Sequence, residues 1–213
     1  MMKTMDQTIT FLGAGAMAEA IFAGLISEGI VNAEQIIATN FRNHRKLEQL
    51  TQTYGIRTTT DRADAVRQAD IVILAMKPKQ LKEAIAEIKE AFHSSQLLVS
   101  VLAGVSTKTI EEQFSFHAKV IRTMPNTSAK IGESATAIAK GIYANDTDTS
   151  IASELFSAVG TVSIVNEDKI DSITGIAGSG PAYFFILQKR WKKRQLKLVF
   201  YVKKQRSLLH KRL

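Results

Sequence analysis

Residues Thr8 to Ala20 read TITFLGAGAMAEA, an apolar strand, a Gly-x-Gly-x-x-Ala turn and the opening of a helix in unbroken series. Each position has a physical task. Gly13 permits the tight turn out of the strand, Gly15 lets backbone approach a pyrophosphate with no Cβ in the way, and Ala18 allows the helix to pack closely on the strand. Ala14, Ala16 and Met17 complete the turn. The helix start offers unpaired N–H groups and the positive end of its dipole to phosphate oxygens. The stretch therefore predicts a dinucleotide-binding unit.

Working outward, short and nearly uncharged runs recur at 9–12 (ITFL), 36–39 (IIAT), 71–75 (IVILA), 97–101 (LLVSV) and 119–124 (KVIRTM). Such runs suit strands buried on both faces. Helix-period segments at 18–28, 45–53, 79–92 and 107–114 separate them. Strands alternating with helices imply right-handed crossovers and an α/β fold, a Rossmann-like, doubly wound and mostly parallel sheet. A strand at 135–138, a polar loop at 145–149, a helix at 150–159 and a strand at 161–165 complete a first domain, residues 1–165. From Glu167 the pattern turns helical. A glycine-rich interruption at 175–180 precedes a new helix at Pro181, and residues 166–185 are expected to start a second, all-helical unit.

Composition narrows the function classes. A chain of 213 residues, 45% hydrophobic, buries a substantial core. No apolar run approaches the ~18 residues of a membrane span, and MMKTMDQ lacks the build of a secretory signal, so a cytoplasmic location and no membrane partner are expected. There is no cysteine, and the four histidines have no ligand spacing, so no metal is expected. The net charge of +8 invites a nucleic-acid reading, but it is lopsided. All 20 acidic residues precede residue 186, where they outnumber the bases, whereas 186–213 hold bases and no acid. The basic balance belongs to the tail.

The strand ends carry the candidate site. After the second of the two N-terminal apolar runs stands Asn40, where an acid would bond a ribose 2′-hydroxyl and repel a 2′-phosphate. Phe41, Arg42, Asn43, His44 and Arg45 follow, a set suited to NADP, with Asn43 as a simple helix cap the competing account. NADPH is the expected cofactor, with NADH the alternative. Ala75, Met76, Lys77 and Pro78 end one strand, and Lys77 is placed to reach ribose or phosphate. Ala103 and Gly104 are small enough for a nicotinamide to lie against backbone. Asn126, after Pro125, offers an amide to a ligand or simply forms a Pro-Asn turn. Gly178, Ser179 and Gly180 precede a helix start suited to a carboxylate, or form a hinge.

The ordered set GAGAMAEAI, AMKP, SVLAGVS, RTMPNTSAKIGE and DSITGIAGSGPAYFF resembles the pyrroline-5-carboxylate reductases over roughly residues 8–185. The resemblance implies NAD(P)H-dependent reduction of 1-pyrroline-5-carboxylate to L-proline by a homo-oligomer built on dimers with interleaved C-terminal helices. It implies that Gly13, Gly15, Met17 and Ala18 hold the pyrophosphate and that Lys77 and Pro78 border the ribose. Ala103, Gly104 and Asn126 would border the nicotinamide, and Gly178, Ser179 and Gly180 would hold the substrate carboxylate. Glu167 stands where the family often places an acid near the imine, and a helix-start glutamate accounts for it equally. Two positions depart from the pattern. Ala16 replaces a usual Asn or similar polar residue, and Arg62 stands where an Asn commonly borders the adenine. The rival readings are a non-catalytic or differently specific dinucleotide-binding homologue and a basic nucleic-acid or membrane-binding module. Charge localisation argues against the module.

After Phe185 the resemblance stops, and 186–213 read ILQKRWKKRQLKLVFYVKKQRSLLHKRL. A single-nucleotide frameshift accounts for this tail, because permissible codons for 189–200 read one nucleotide upstream give EAMEKAAVEAGF, a family-like helix. On that account the tail has no nucleic-acid partner, the oligomer is impaired, and this chain has little or no reductase activity. Sequencing the encoding DNA through codon 186 is expected to show the family-like second frame. An intact frame with no such alternative sinks the account.

Overall fold

A computed structural model describes residues 4–178, 180, 183, 186–192, 194 and 195. Eight strands form one sheet: β1 (Ile9–Leu12), β2 (Ile36–Thr39), β3 (Arg57–Thr59), β4 (Ile71–Leu74), β5 (Leu97–Ser100), β6 (Lys119–Met124), β7 (Ser134–Lys140) and β8 (Gly160–Ile164). Their order is β3-β2-β1-β4-β5-β6-β7-β8. The first six strands are parallel, β7 is antiparallel to β6, and β8 is parallel to β7. The expected doubly wound, mostly parallel sheet is present, with its switch point between β1 and β4.

Side-chain alternation divides the core. Ile9, Phe11, Ile36, Ala38, Ile71, Ile73, Leu97, Val99, Ile121 and Ile138 face one way, covered by α1 (Ala16–Ser27), α2 (His44–Tyr54) and α6 (Asp146–Ser157). Leu12, Val72, Leu74, Leu98 and Val120 face the other way, under α3 (Arg62–Arg67), α4 (Leu81–Ile88) and α5 (Thr107–Glu111). Burial on both faces is why these strands read as unbroken apolar runs. On the second face α7 (Ile170–Ile173) seats Ile170, fully buried, among Met124, Ala137 and Ala139.

Three local expectations change. The segment 57–67 holds β3 and α3, which no apolar run announces. β3 is an edge strand with its three residues partly or fully exposed, and α3 is started by Asp61, whose side chain accepts from the Asp64 N–H. The expected loop at 145–149 is the first turn of α6, because Asn145 and Asp148 cap each other's backbone N–H groups. The glycine-rich interruption is helical as far as it is described. α7 passes into a π-helical turn, Thr174–Gly178, with the Thr174 hydroxyl donating to the Ile170 carbonyl at 2.7 Å. The start expected at Pro181 and the tail 196–213 lie outside the described residues.

Glu111 closes α5 and is buried, its Oε1 accepting the Ile142 N–H at 2.9 Å. A Cβ on Gly141 would fall 2.1 Å from that oxygen, so a larger residue there would push the Glu111 carboxylate aside. Burial pushes the carboxyl above its ordinary value of 4.5, with the Ile142 and Tyr143 N–H groups opposing and the charge of Glu167 adding to the rise. A raised carboxyl binds its proton more tightly folded than unfolded. Its contribution is complete below pH 4.5 and is lost as pH rises through the folded pKa. Denaturant melts across that window are expected to show Glu111→Gln removing this loss, whatever its effect on the overall level. An unchanged pH slope would contradict the assignment.

Candidate active site

The turn after β1 is the centre of the site. Gly13 has φ +118°, and a Cβ there would lie 2.6 Å from the Ala75 carbonyl oxygen and 3.0 Å from the Met76 nitrogen. Glycine is required both by the backbone angle and by this contact. Gly15 is the residue before α1, and its Cβ would meet nothing within 4 Å. Ala14 and Ala18 are buried, Met17 packs against the core and Ala16 is exposed. The helix start has no side-chain cap. By contrast α2, α3, α5 and α6 are capped by Asn43, Asp61, Ser106 and Asn145. Helix N–H groups left without a side-chain acceptor, behind an open glycine, fit the pyrophosphate of a dinucleotide.

Beyond β2, Asn40 is spent on the loop itself, its Oδ1 accepting from the Arg42 and Asn43 N–H groups at 3.1 Å each. Asn43 caps α2 through the Lys46 N–H at 2.9 Å, so the cap reading of Asn43 holds. Arg42 is exposed, and no carboxylate stands at Asn40. Arg62 is buried instead, with Nη1 2.9 Å from Glu87. Beyond β4, Lys77 is exposed, its N–H donating to Gln80 Oε1 at 3.2 Å, and Pro78 opens a short 3-10 turn. Beyond β5, Ala103 and Gly104 are exposed, Gly104 at φ +71° with open space where a Cβ would stand.

Asn126 and Glu167 are more committed than the sequence suggests. Asn126 is buried, its Oδ1 accepting the Ser128 N–H at 3.0 Å and its Nδ2 donating to the Ala177 carbonyl at 3.1 Å. It ties the helical segment to the carboxyl edge of the sheet. Glu167 accepts the Thr107 N–H at 2.8 Å and the Thr107 hydroxyl at 2.6 Å, and Arg122 Nη1 lies at 3.3 Å. Arg122, buried in β6, also reaches Asp171 through Nη2 at 2.6 Å. This arginine is the residue that sequence reasoning undervalued. Its signal was one cation inside the apolar run KVIRTM, which demands an acidic partner elsewhere. Gly178 ends the π-helical turn and Gly180 is helical, while Ser179 lies outside the described residues.

The turn after β1 and the ends of β2, β4, β5 and β6 thus bring the cofactor candidates to one edge of the sheet, as the sequence implies. A groove of 1540 Å³ runs elsewhere, along α5 past Phe114 and His117 to the turn 141–144, and takes in Glu167 alone of the candidates. Among the described residues no cluster of acids and histidines is placed to hold a metal, and no helix is long and apolar enough to cross a membrane.

A family model described as NADP oxidoreductase, coenzyme F420-dependent, matches residues 8–104. Pyrroline-5-carboxylate reductase 1 of Bacillus spizizenii is 40% identical over 190 residues, 89% of this chain and 64% of that protein. The chain thus spans 64% of the length of that curated relative. A pyrroline-5-carboxylate reductase from Coxiella burnetii superposes with a TM-score of 0.82 at 34% identity, covering 90% of this chain and 71% of that one. Pyrroline carboxylate reductase of Plasmodium falciparum, solved with NADP bound, shares the fold at a TM-score of 0.82 and 24% identity, over 92% of this chain and 71% of that one.

The open space at Gly15 separates folding from binding. Gly15→Val is expected to move the melting temperature little, because no protein atom opposes the new side chain. The same substitution is expected to weaken NADPH binding at least tenfold, or about 1.4 kcal/mol. Calorimetric titration beside a thermal melt checks both, and unchanged binding would remove the turn from the site.

Proposed function

The chain belongs to the pyrroline-5-carboxylate reductase family, and from that premise we propose that it binds NADPH and reduces 1-pyrroline-5-carboxylate to L-proline, the last step of proline biosynthesis. The observation that carries the reading is the uncapped start of α1 behind Gly15, sharing one sheet edge with Gly104 and the Asn126–Ala177 tie. NADPH is favoured over NADH because a neutral Asn40 and the cations Arg42 and Arg62 replace the acid that would repel a 2′-phosphate. The NADP bound to the Plasmodium relative supports the same choice.

When bound, the reduced nicotinamide supplies a hydride for the C5=N carbon of the cyclic imine, which is most easily reduced with its nitrogen protonated. What falls to the chain is positioning, which can contribute several kcal/mol when reacting atoms are held in near-attack geometry. Gly13 and Gly15 fix the pyrophosphate, Lys77 and Pro78 border the ribose, and Ala103 and Gly104 let the ring lie against backbone. Gly178, Ser179 and Gly180 are assigned to the substrate carboxylate. Glu167 acts as a positioning residue. Both its oxygens are engaged by Thr107, which anchors α5 and thereby the preceding loop carrying Ala103 and Gly104.

In this reading residues 1–165 form the nucleotide-binding domain and 166–185 start the substrate and dimerisation domain of a cytoplasmic homo-oligomer. Exposed Ile176, Tyr183, Ile186 and Leu187 on the helical segment support a protein partner there. The test is oxidation of NADPH with and without 1-pyrroline-5-carboxylate, by the purified chain and by a version carrying the family-like frame after residue 185. One L-proline per NADPH is expected from the restored version, and little or none from the chain with the basic tail. NADPH binding without any proline from either would leave a dinucleotide-binding homologue and sink the reductase reading.

A further inference from the structure

Phe41 and Arg62 stand just beyond a paired strand end, for Thr39 of β2 is in register with Thr59 of β3. Their surroundings are opposite. Phe41 is 54% exposed, makes no ring contact within the core clusters, and sits in a turn whose two caps, Asn40 and Asn43, do not involve its side chain. Arg62 is only 8% exposed. Its Nη1 is held by Glu87, and its Nε is buried with no acceptor. The Phe41 ring lies over this guanidinium, its centre 5.9 Å from the Arg62 Cζ, with the Arg42 Cζ also at 5.9 Å.

A buried donor without an acceptor is short of a partner, and a phenyl ring offers only its π-face. Adenosine offers more. Its base has a π-face for a guanidinium plane, and its ring nitrogens and a ribose 2′-phosphate are acceptors. We propose that Phe41 is an intramolecular occupant of the adenosine subsite, covering the face of Arg62 that the adenosine 2′-phosphate end of the cofactor takes by moving the ring aside. This rests on the NADP-binding reading above. Glu87 is a positioning residue here, because its contact with Nη1 fixes the guanidinium plane while the ring moves. The caps at Asn40 and Asn43 are kept as Phe41 swings, so the loop itself need not refold.

Calorimetric titration with adenosine 2′,5′-bisphosphate tests the idea on the wild type, Phe41→Ala, Arg62→Gln and the double variant. An exposed cation–π contact corresponds to about two- to fivefold in affinity, and Phe41→Ala is expected to tighten binding by that factor. Arg62→Gln is expected to weaken binding, and Phe41→Ala is expected to add nothing in its background. Weaker binding by Phe41→Ala would make the ring a platform and overturn the proposal, as would an equal gain without Arg62. Should Arg62→Gln fail to fold, Phe41→Leu decides, with tighter binding supporting the ring as competitor and weaker binding overturning it. NADPH binding by the wild type with the wrong order of affinities overturns this proposal alone. Loss of both NADPH and bisphosphate binding overturns the cofactor reading as well.

Discussion

The backbone of Gly13 presses against the backbone of Ala75 and Met76 closely enough that no side chain fits between them. This contact joins the turns leaving β1 and β4, where the strand order reverses and α1 and α4 depart to opposite faces. The Ala75 N–H donates to the Leu12 carbonyl at 3.0 Å, and the Val101 N–H to the Leu74 carbonyl at 3.1 Å. Three successive strand ends are therefore staggered by backbone hydrogen bonds alone. The crevice that results lies outside the carboxyl ends of the strands, where open α/β sheets bind ligands. A larger residue at Gly13 would separate the turns and disturb the crevice together with the fold.

Capping shows the same division between structure and function. Helices α2, α3, α5 and α6 each satisfy an early N–H with a side chain, α4 and α7 continue directly from 3-10 turns, and α1 opens from the glycine turn with no side-chain cap. A serine or aspartate at Gly15 would stabilise α1 by only about a few tenths of a kcal/mol and would spend the donors that a phosphate could use. On the far side of β6 the reverse choice is made. Glu167 takes Thr107 and one arm of Arg122, and Asp171 takes the other, so the start of the helical segment is held to β6 and α5 through charge as well as through buried Ile170.

Much of this was legible because burial on both faces leaves little ambiguity. ITFL, IIAT, IVILA, LLVSV and KVIRTM all form strands, and the glycine turn joins the first of them to α1. β3 escaped because an edge strand reading Arg-Thr-Thr is not buried on two faces. The start of α6 escaped because Asn145, Asp146 and Asp148 look like a polar loop until their reciprocal capping is seen. Asn126 and Glu167 are singled out by position in the sequence, but their partners, Ala177 at a separation of 51 and Thr107 at 60, depend on tertiary contact. The pairing of Arg62 with Glu87 had no local signal either, since the two lie on different helices.

β7 runs back from the crevice and β8 runs with it, yet both are displaced in register toward the crevice. Met124, the last residue of β6, pairs with Ala137, so Ser134 to Thr136 reach past it, and Gly160 to Ile164 pair with Ser134 to Ile138. The end of β8 is therefore level with Thr123, and the chain leaves the sheet close to its carboxyl edge. Glu167 meets Thr107 and Arg122 there, and Ala177 reaches Asn126 one short helical segment later. Two more residues on β8, pairing down to Lys140, would carry that exit about 7 Å away from the edge. Strand register, more than local sequence, thus brings two distant stretches of chain to one edge of the sheet.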